Sequence, residues 1–170
     1  MKVIFLDIDG VFNSEQLAER RIQEGWSEQH YDFVDLNELT RFVYFINKNN
    51  IKIVLSSSWR IDGYVETCDY LKQTLMAPII PYLIGVTPRS RSGHRGTEIE
   101  FFIKANKEHY EQYKWMMKNN EFIDIDEYCI IDDDSDMTDD QIKNHFVNTD
   151  WLEGLQEKHY PQIEKILQLC

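Results

Sequence analysis

Cysteine is scarce in this chain. Cys68, Cys129 and Cys170 are the only three in 170 residues, widely spaced and without a CxxC pair. That argues against a disulfide framework and against a cysteine zinc site. No stretch is long and apolar enough to cross a membrane. The N-terminus enters an apolar strand pattern at once, without a basic region followed by an apolar signal segment, so a cytoplasmic protein is expected. Basic residues are outnumbered, 18 Lys and Arg against 30 Asp and Glu, for a net charge of −12. A chain this acidic is not a general binder of duplex nucleic acid, whose backbone repels it. Repeats, low-complexity tracts and linkers are missing as well. What is present is 42% hydrophobic and 13% aromatic residues, enough for one domain over residues 1–170 with a real core.

Short apolar runs alternate with helical patterns. Strands are expected at Lys2–Leu6, Ile51–Leu55 and Tyr128–Ile131, with a short one between the prolines of Pro78–Val86 and another at His145–Val147. Helices are expected at Ser14–Glu24 with Ser14 as N-cap, Asp35–Lys48, Tyr64–Met76 and Thr97–Asn106, the last with Thr97 and Glu100 spaced as a capping box. Helical structure continues over Lys107–Lys118, Gln141–Asn144 makes a helical turn, and Leu155–Leu169 makes a terminal helix whose start Pro161 disturbs. Residues 25–31 and the basic stretch Thr87–Gly96 read as loops. This alternation predicts an α/β fold, a parallel sheet with helices on both faces.

Each buried strand runs into a polar cluster. The first gives Asp7-Ile8-Asp9-Gly10-Val11, the second Ser56-Ser57-Ser58-Trp59-Arg60, and the third Asp132-Asp133-Asp134 followed by Asp136. Strand side chains alternate, so Asp7 and Asp9 point the same way at the strand end. Gly10 lets the backbone turn there and leaves room for a ligand. Crowded carboxylates repel each other unless a cation sits among them, and hard oxygen ligands suit Mg²⁺. Taken alone, DxDG is also a common turn, and Val11-Phe12 interrupts a calcium-loop pattern. In an open parallel sheet, however, all three clusters fall at the carboxyl edge, where such folds bind ligands.

These motifs, in this order from Asp7 to Asp136, resemble the haloacid dehalogenase (HAD) superfamily of phosphotransferases. More narrowly, Asp7–Asn13, Leu55–Arg60 and Ile131–Asp134 resemble the small HAD phosphatases of RNA repair proteins and of polynucleotide kinase-phosphatases. The resemblance implies a Rossmann-like fold and an Mg²⁺-dependent phosphomonoesterase. Asp7 is implied as the nucleophile that forms an aspartyl-phosphate, and Asp9 as the acid and base. Asp7, the Asp9 backbone carbonyl and Asp133 are implied as ligands of Mg²⁺, with Asp132 supporting them or in direct contact. Ser56, or Ser57 in a shifted register, is implied to bind the phosphoryl oxygens.

The basic residue such enzymes place against the phosphoryl group is best matched by Arg95, while Arg89 and Arg91 read as a solvated loop. Arg60 either pairs with Asp132 or Asp134, or contacts substrate. Asp136 comes one residue early for the usual last acid, and so either backs the metal site or caps a helix. Trp59 reads as packing, and Trp26 as a possible cover for the site; His30, His94, His109, His145 and His159 share no spacing.

The segments Asn13–Phe33 and Ile61–His94 are too short for a large cap, so a minimal or absent cap is expected. An open site suits a phosphorylated small molecule or a nucleic-acid end. The alternatives are a mononucleotide phosphatase and a non-catalytic phosphate-binding module; a receiver-type fold is disfavoured, since there the phosphorylated Asp follows a middle strand. No GxxxxGK[ST] loop is present, so the chain carries no kinase domain of its own.

Overall fold

Val3, Ile4, Phe5 and Leu6 have no solvent-exposed surface, as a strand covered on both faces requires. They belong to β1 (Lys2–Leu6), the centre of a five-stranded sheet in a computed structural model that describes residues 1–26, 34–90 and 93–169. The other strands are β2 (Lys52–Leu55), β3 (Leu83–Val86), β4 (Glu127–Asp132) and β5 (Phe146–Asn148). Their order is β3-β2-β1-β4-β5 and every pairing is parallel. The fold is the expected Rossmann-like α/β architecture. The register sets Leu6 beside both Leu55 and Ile131, so the three strands end level and the polar clusters emerge side by side.

Helices α1 (Glu15–Gln23), α2 (Leu36–Lys48), α3 (Tyr64–Leu71), α4 (Arg95–Glu108), α5 (Tyr110–Tyr113), α6 (Asp139–Asn144) and α7 (Tyr160–Ile166) fill the connections. Ser14 caps α1 as expected, its hydroxyl accepting from Leu17 N–H. Asp35 caps α2 through Asn37 and Glu38 N–H. The chain wraps one core in which Phe5, Phe42 and Phe102 are wholly buried. Cys68 and Cys129 are free and buried. No described helix is long and apolar enough to cross a membrane. No separate cap domain occurs among the described residues. Arg91, His30, Cys170 and residues 27–33 of the predicted loop and cap segment lie outside them.

Several boundaries differ from the sequence reading. Helix α3 ends at Leu71, not Met76; Thr74 turns the chain by donating from its hydroxyl to Leu71 O and accepting from Met76 N–H. The first half of Pro78–Val86 is a 3₁₀ helix over Ala77–Tyr82, and only Leu83 onward is strand. The prolines explain this, since proline cannot donate to a sheet ladder. Lys107–Lys118 breaks at His109 into α5 and a 3₁₀ turn at Lys114–Met116. The terminal helix is α7 alone, preceded by a 3₁₀ turn at Glu157–His159, with Pro161 in its first turn. Helix α6 starts at Asp139, with a capping box between Thr138 and Gln141.

Helix α4 starts at Arg95, and the expected Thr97–Glu100 box does not form. Asp136 caps this helix from across the sheet edge. Its Oδ2 accepts from Arg95 N–H at 2.8 Å and its backbone carbonyl accepts from Gly96 N–H at 3.1 Å. Gly96 fits because a Cβ there would meet Gln141 Oε1 and the backbone of Met137 and Thr138. Gln141, also buried, donates from Nε2 to Gly96 O.

Candidate active site

Asp7, Asp132 and Asp133 each bring a carboxylate oxygen into a group whose members lie within 4.8 Å of one another. Asp7 leaves the end of β1 and stays paired to β4 through Asp7 N–H to Ile131 O at 3.0 Å. Its Oδ1 accepts from Ile8 N–H at 2.8 Å, and the nearby Ser57 hydroxyl favours its charged form. Asp132 ends β4; its Oδ1 accepts from Asp134 N–H, while Oδ2 is buried without a hydrogen-bond partner. Asn148 and Thr149, at the end of β5, hold this loop. Asn148 Nδ2 donates to the carbonyls of Asp132 and Asp133, and the Thr149 hydroxyl donates to Gly10 O at 3.0 Å.

Electrostatics mark the cluster. Burial, only partly countered by Arg95, pushes the Asp7 carboxyl up to about 6. Burial together with the charge on Asp7 pushes Asp132 up to about 8. Asp133 is raised too, first by burial and then by its acidic neighbours. Three mutually repelling carboxylates, one with a buried oxygen that makes no hydrogen bond, form a donor set suited to a hard divalent cation such as Mg²⁺.

Arg95 faces this group from the first turn of α4. Its Nε is 3.4 Å from Asp132 Oδ2, one Nη is 3.9 Å from Asp7 Oδ2, and the other is 3.8 Å from Glu98 Oε2. A fixed guanidinium beside the nucleophile candidate is the arrangement that phosphoryl oxygens require.

The second cluster divides its tasks. Ser56 is buried; its N–H donates to Leu6 O, and its hydroxyl accepts from Thr87 Oγ1 at 3.3 Å. Ser57 is the serine whose hydroxyl favours the charged form of Asp7, and it accepts from Trp59 N–H at 3.2 Å. Arg60 pairs with neither Asp132 nor Asp134. Its buried guanidinium forms an ion pair with Glu98 and donates to Ser57 O at 2.6 Å and to Pro88 O at 3.3 Å. These inward partners, and a side chain only 4% exposed, make it a strut of the loop. Arg89 is likewise engaged: its guanidinium donates to the carbonyls of Ser58 and Arg60, so the same loop is clamped twice.

Gly10 has φ +65°, and a Cβ at this position would overlap the Asp133 carboxylate. The room foreseen for a ligand is therefore taken by Asp133, and Gly10 is what lets the first and third clusters close. The Asp9 side chain stands apart from the three grouped carboxylates, leaving its backbone carbonyl as the expected metal contact. Ser58 donates to Asp9 Oδ2 at 2.6 Å, while Trp59 Nε1 at 2.9 Å and Asn13 Nδ2 at 2.7 Å donate to Oδ1. Trp59 thus does more than pack. Its role was hidden because the bond spans fifty residues; only the adjacency of a Trp to a polar strand end hinted at it.

Comparison with the curated proteins and with the solved structures gives no match. A family model described as "HAD domain in Swiss Army Knife RNA repair proteins" matches residues 3–160. That span holds the five strands except Lys2, the three carboxylates, the serine turn and Arg95, so the chain belongs to this family of HAD domains.

Proposed function

We propose that the chain is an Mg²⁺-dependent phosphomonoesterase that works through an aspartyl-phosphate on Asp7. The observation that carries this reading is the convergence of Asp7, Asp132 and Asp133 with the Arg95 guanidinium at one sheet edge. The Asp7 carboxylate, steadied by Ile8 N–H and the Ser57 hydroxyl, attacks phosphorus in line and displaces the ester oxygen. Asp9 gives that oxygen a proton, then takes one from the water that frees inorganic phosphate from Asp7. Arg95 and the serine turn, with its backbone N–H groups, meet the phosphoryl oxygens. Asp7, Asp133 and the Asp9 carbonyl would hold Mg²⁺, with Asp132 behind them. When bound, the ion offsets the negative charge of the carboxylates and of the phosphoryl group.

The substrate class we infer is a phosphate at a nucleotide or nucleic-acid end. Support comes from the family's association with RNA repair and from a site without a separate cap domain among the described residues. The chain's charge of −12 fits an end held locally, not a duplex gripped along its length.

The test is phosphate release from p-nitrophenyl phosphate with Mg²⁺, with EDTA, and in Asp7→Asn. Turnover with Mg²⁺ that EDTA and Asp7→Asn each abolish, in a variant that melts like the wild type, is the expected result. Near-normal activity in Asp7→Asn would sink the covalent mechanism. Mononucleotides set against 3′- and 5′-phosphorylated oligonucleotides then decide the substrate size.

A further inference from the structure

Asp9 is held differently from the three grouped carboxylates at the sheet edge. The carboxylates of Asp7, Asp132 and Asp133 face one another, whereas both oxygens of Asp9 are turned to neutral donors. Oδ1 accepts from Asn13 Nδ2 and Trp59 Nε1, and Oδ2 accepts from the Ser58 hydroxyl. An indole N–H can only donate, so the Trp59 contact has a fixed direction. The donors come from two segments. Asn13 closes the turn after Asp9, its Oδ1 accepting from Gly10 N–H at 3.0 Å. Ser58 and Trp59 follow β2. The Trp59 ring is itself located by an edge-on contact with Tyr70, centroids 6.2 Å apart, and its backbone N–H is anchored on Ser57 Oγ. A carboxylate with donors on both oxygens from two directions cannot rotate about its terminal torsion without breaking several bonds at once.

We propose that Asn13, Ser58 and Trp59 are positioning residues that fix the orientation in which Asp9 reaches the departing ester oxygen. This rests on the phosphomonoesterase reading above. A misplacement of about 1 Å in such a group is enough to lose much of its contribution. The loss falls on substrates that need help in leaving. A strongly acidic phenol departs unaided, and a weakly acidic one does not.

The experiment measures kcat/KM over a series of aryl phosphates, from p-nitrophenyl phosphate to phenyl and p-methoxyphenyl phosphate, for the wild type, Trp59→Phe and Ser58→Ala. Trp59→Phe removes the N–H and keeps an aromatic ring. The expected result is a steeper dependence on leaving-group acidity in both variants. The loss should be roughly 10-fold or more on phenyl phosphate and slight on p-nitrophenyl phosphate, out of the roughly 10²–10⁴-fold that a positioned acid supplies. Equal losses across the series overturn the proposal, because a general structural defect does not discriminate between leaving groups. Should Trp59→Phe fail to fold, Ser58→Ala decides alone, since Ser58 is exposed. Wild-type inactivity on the whole series overturns the phosphomonoesterase reading itself, a different failure from parallel slopes in an active enzyme.

Discussion

Gly10 joins two parts of the site at one atom's width. With φ +65° and the Asp133 carboxylate where a Cβ would stand, a side chain there both strains the backbone and pushes the Asp133 carboxylate aside. Gly10→Ala should therefore lower the melting temperature and raise the Mg²⁺ concentration for half-maximal activity by on the order of 10-fold or more. A magnesium titration of phosphate release checks it, and an unchanged half-point would show that Asp133 does not need this closeness. At this scale the sequence was legible wherever a residue acts through its neighbours in the chain. Asp7, Asp132 and Asp133 could be placed because each continues an apolar strand. The partners of Arg60 and Trp59 were not legible because they are distant: Glu98 on α4 for one, Asp9 on the first loop for the other.

Helix α4 carries Arg95 in its first turn, and Asp136 holds that turn in place. His94, at the N-cap position, offers no side-chain bond, so the local sequence could not reveal where the helix begins. Asp136→Ala should cost about 1 kcal/mol, roughly 2–4 °C in melting temperature. It should also lower kcat, because Arg95 loses its anchor. Asp136→Asn, which keeps an acceptor oxygen, should retain most of both. Calorimetry and turnover on the two variants check this, and equal behaviour would show that the cap oxygen is not what matters. Helix α1 presents the opposite case: Ser14 lies next to the element it caps, and the boundary was readable from the start.

Across the whole molecule the carboxylate group acts as a stored repulsion. Asp7 and Asp132 are raised to about 6 and about 8 in the folded chain, above the ordinary carboxylate values they return to on unfolding. Between those limits the folded state binds more protons than the unfolded one, so stability falls as pH rises. Metal-free protein should accordingly lose stability progressively from about pH 4, the ordinary carboxylate range, the share of Asp7 being complete near pH 6 and that of Asp132 near pH 8. Mg²⁺ requires the deprotonated ligands, so its addition should raise the melting temperature more at pH 8 than at pH 6. Thermal melts with EDTA and with Mg²⁺ at the two pH values measure this directly. A magnesium shift independent of pH would separate the metal from these carboxylates.

Because β1 lies between β2 and β4, with Lys2 paired to Glu127, the timing of synthesis bears on chemistry. By the time α3 has left the ribosome, Asp7, Asp9 and the serine turn are out as well, but the strand that completes β1 on its other side is not. Closing that long loop is the slow kind of contact in folding. The carboxylate group of Asp7, Asp132 and Asp133 can therefore assemble only after β4 is threaded into the sheet, so the nascent chain holds Asp7 without its partners until Asp133 has emerged.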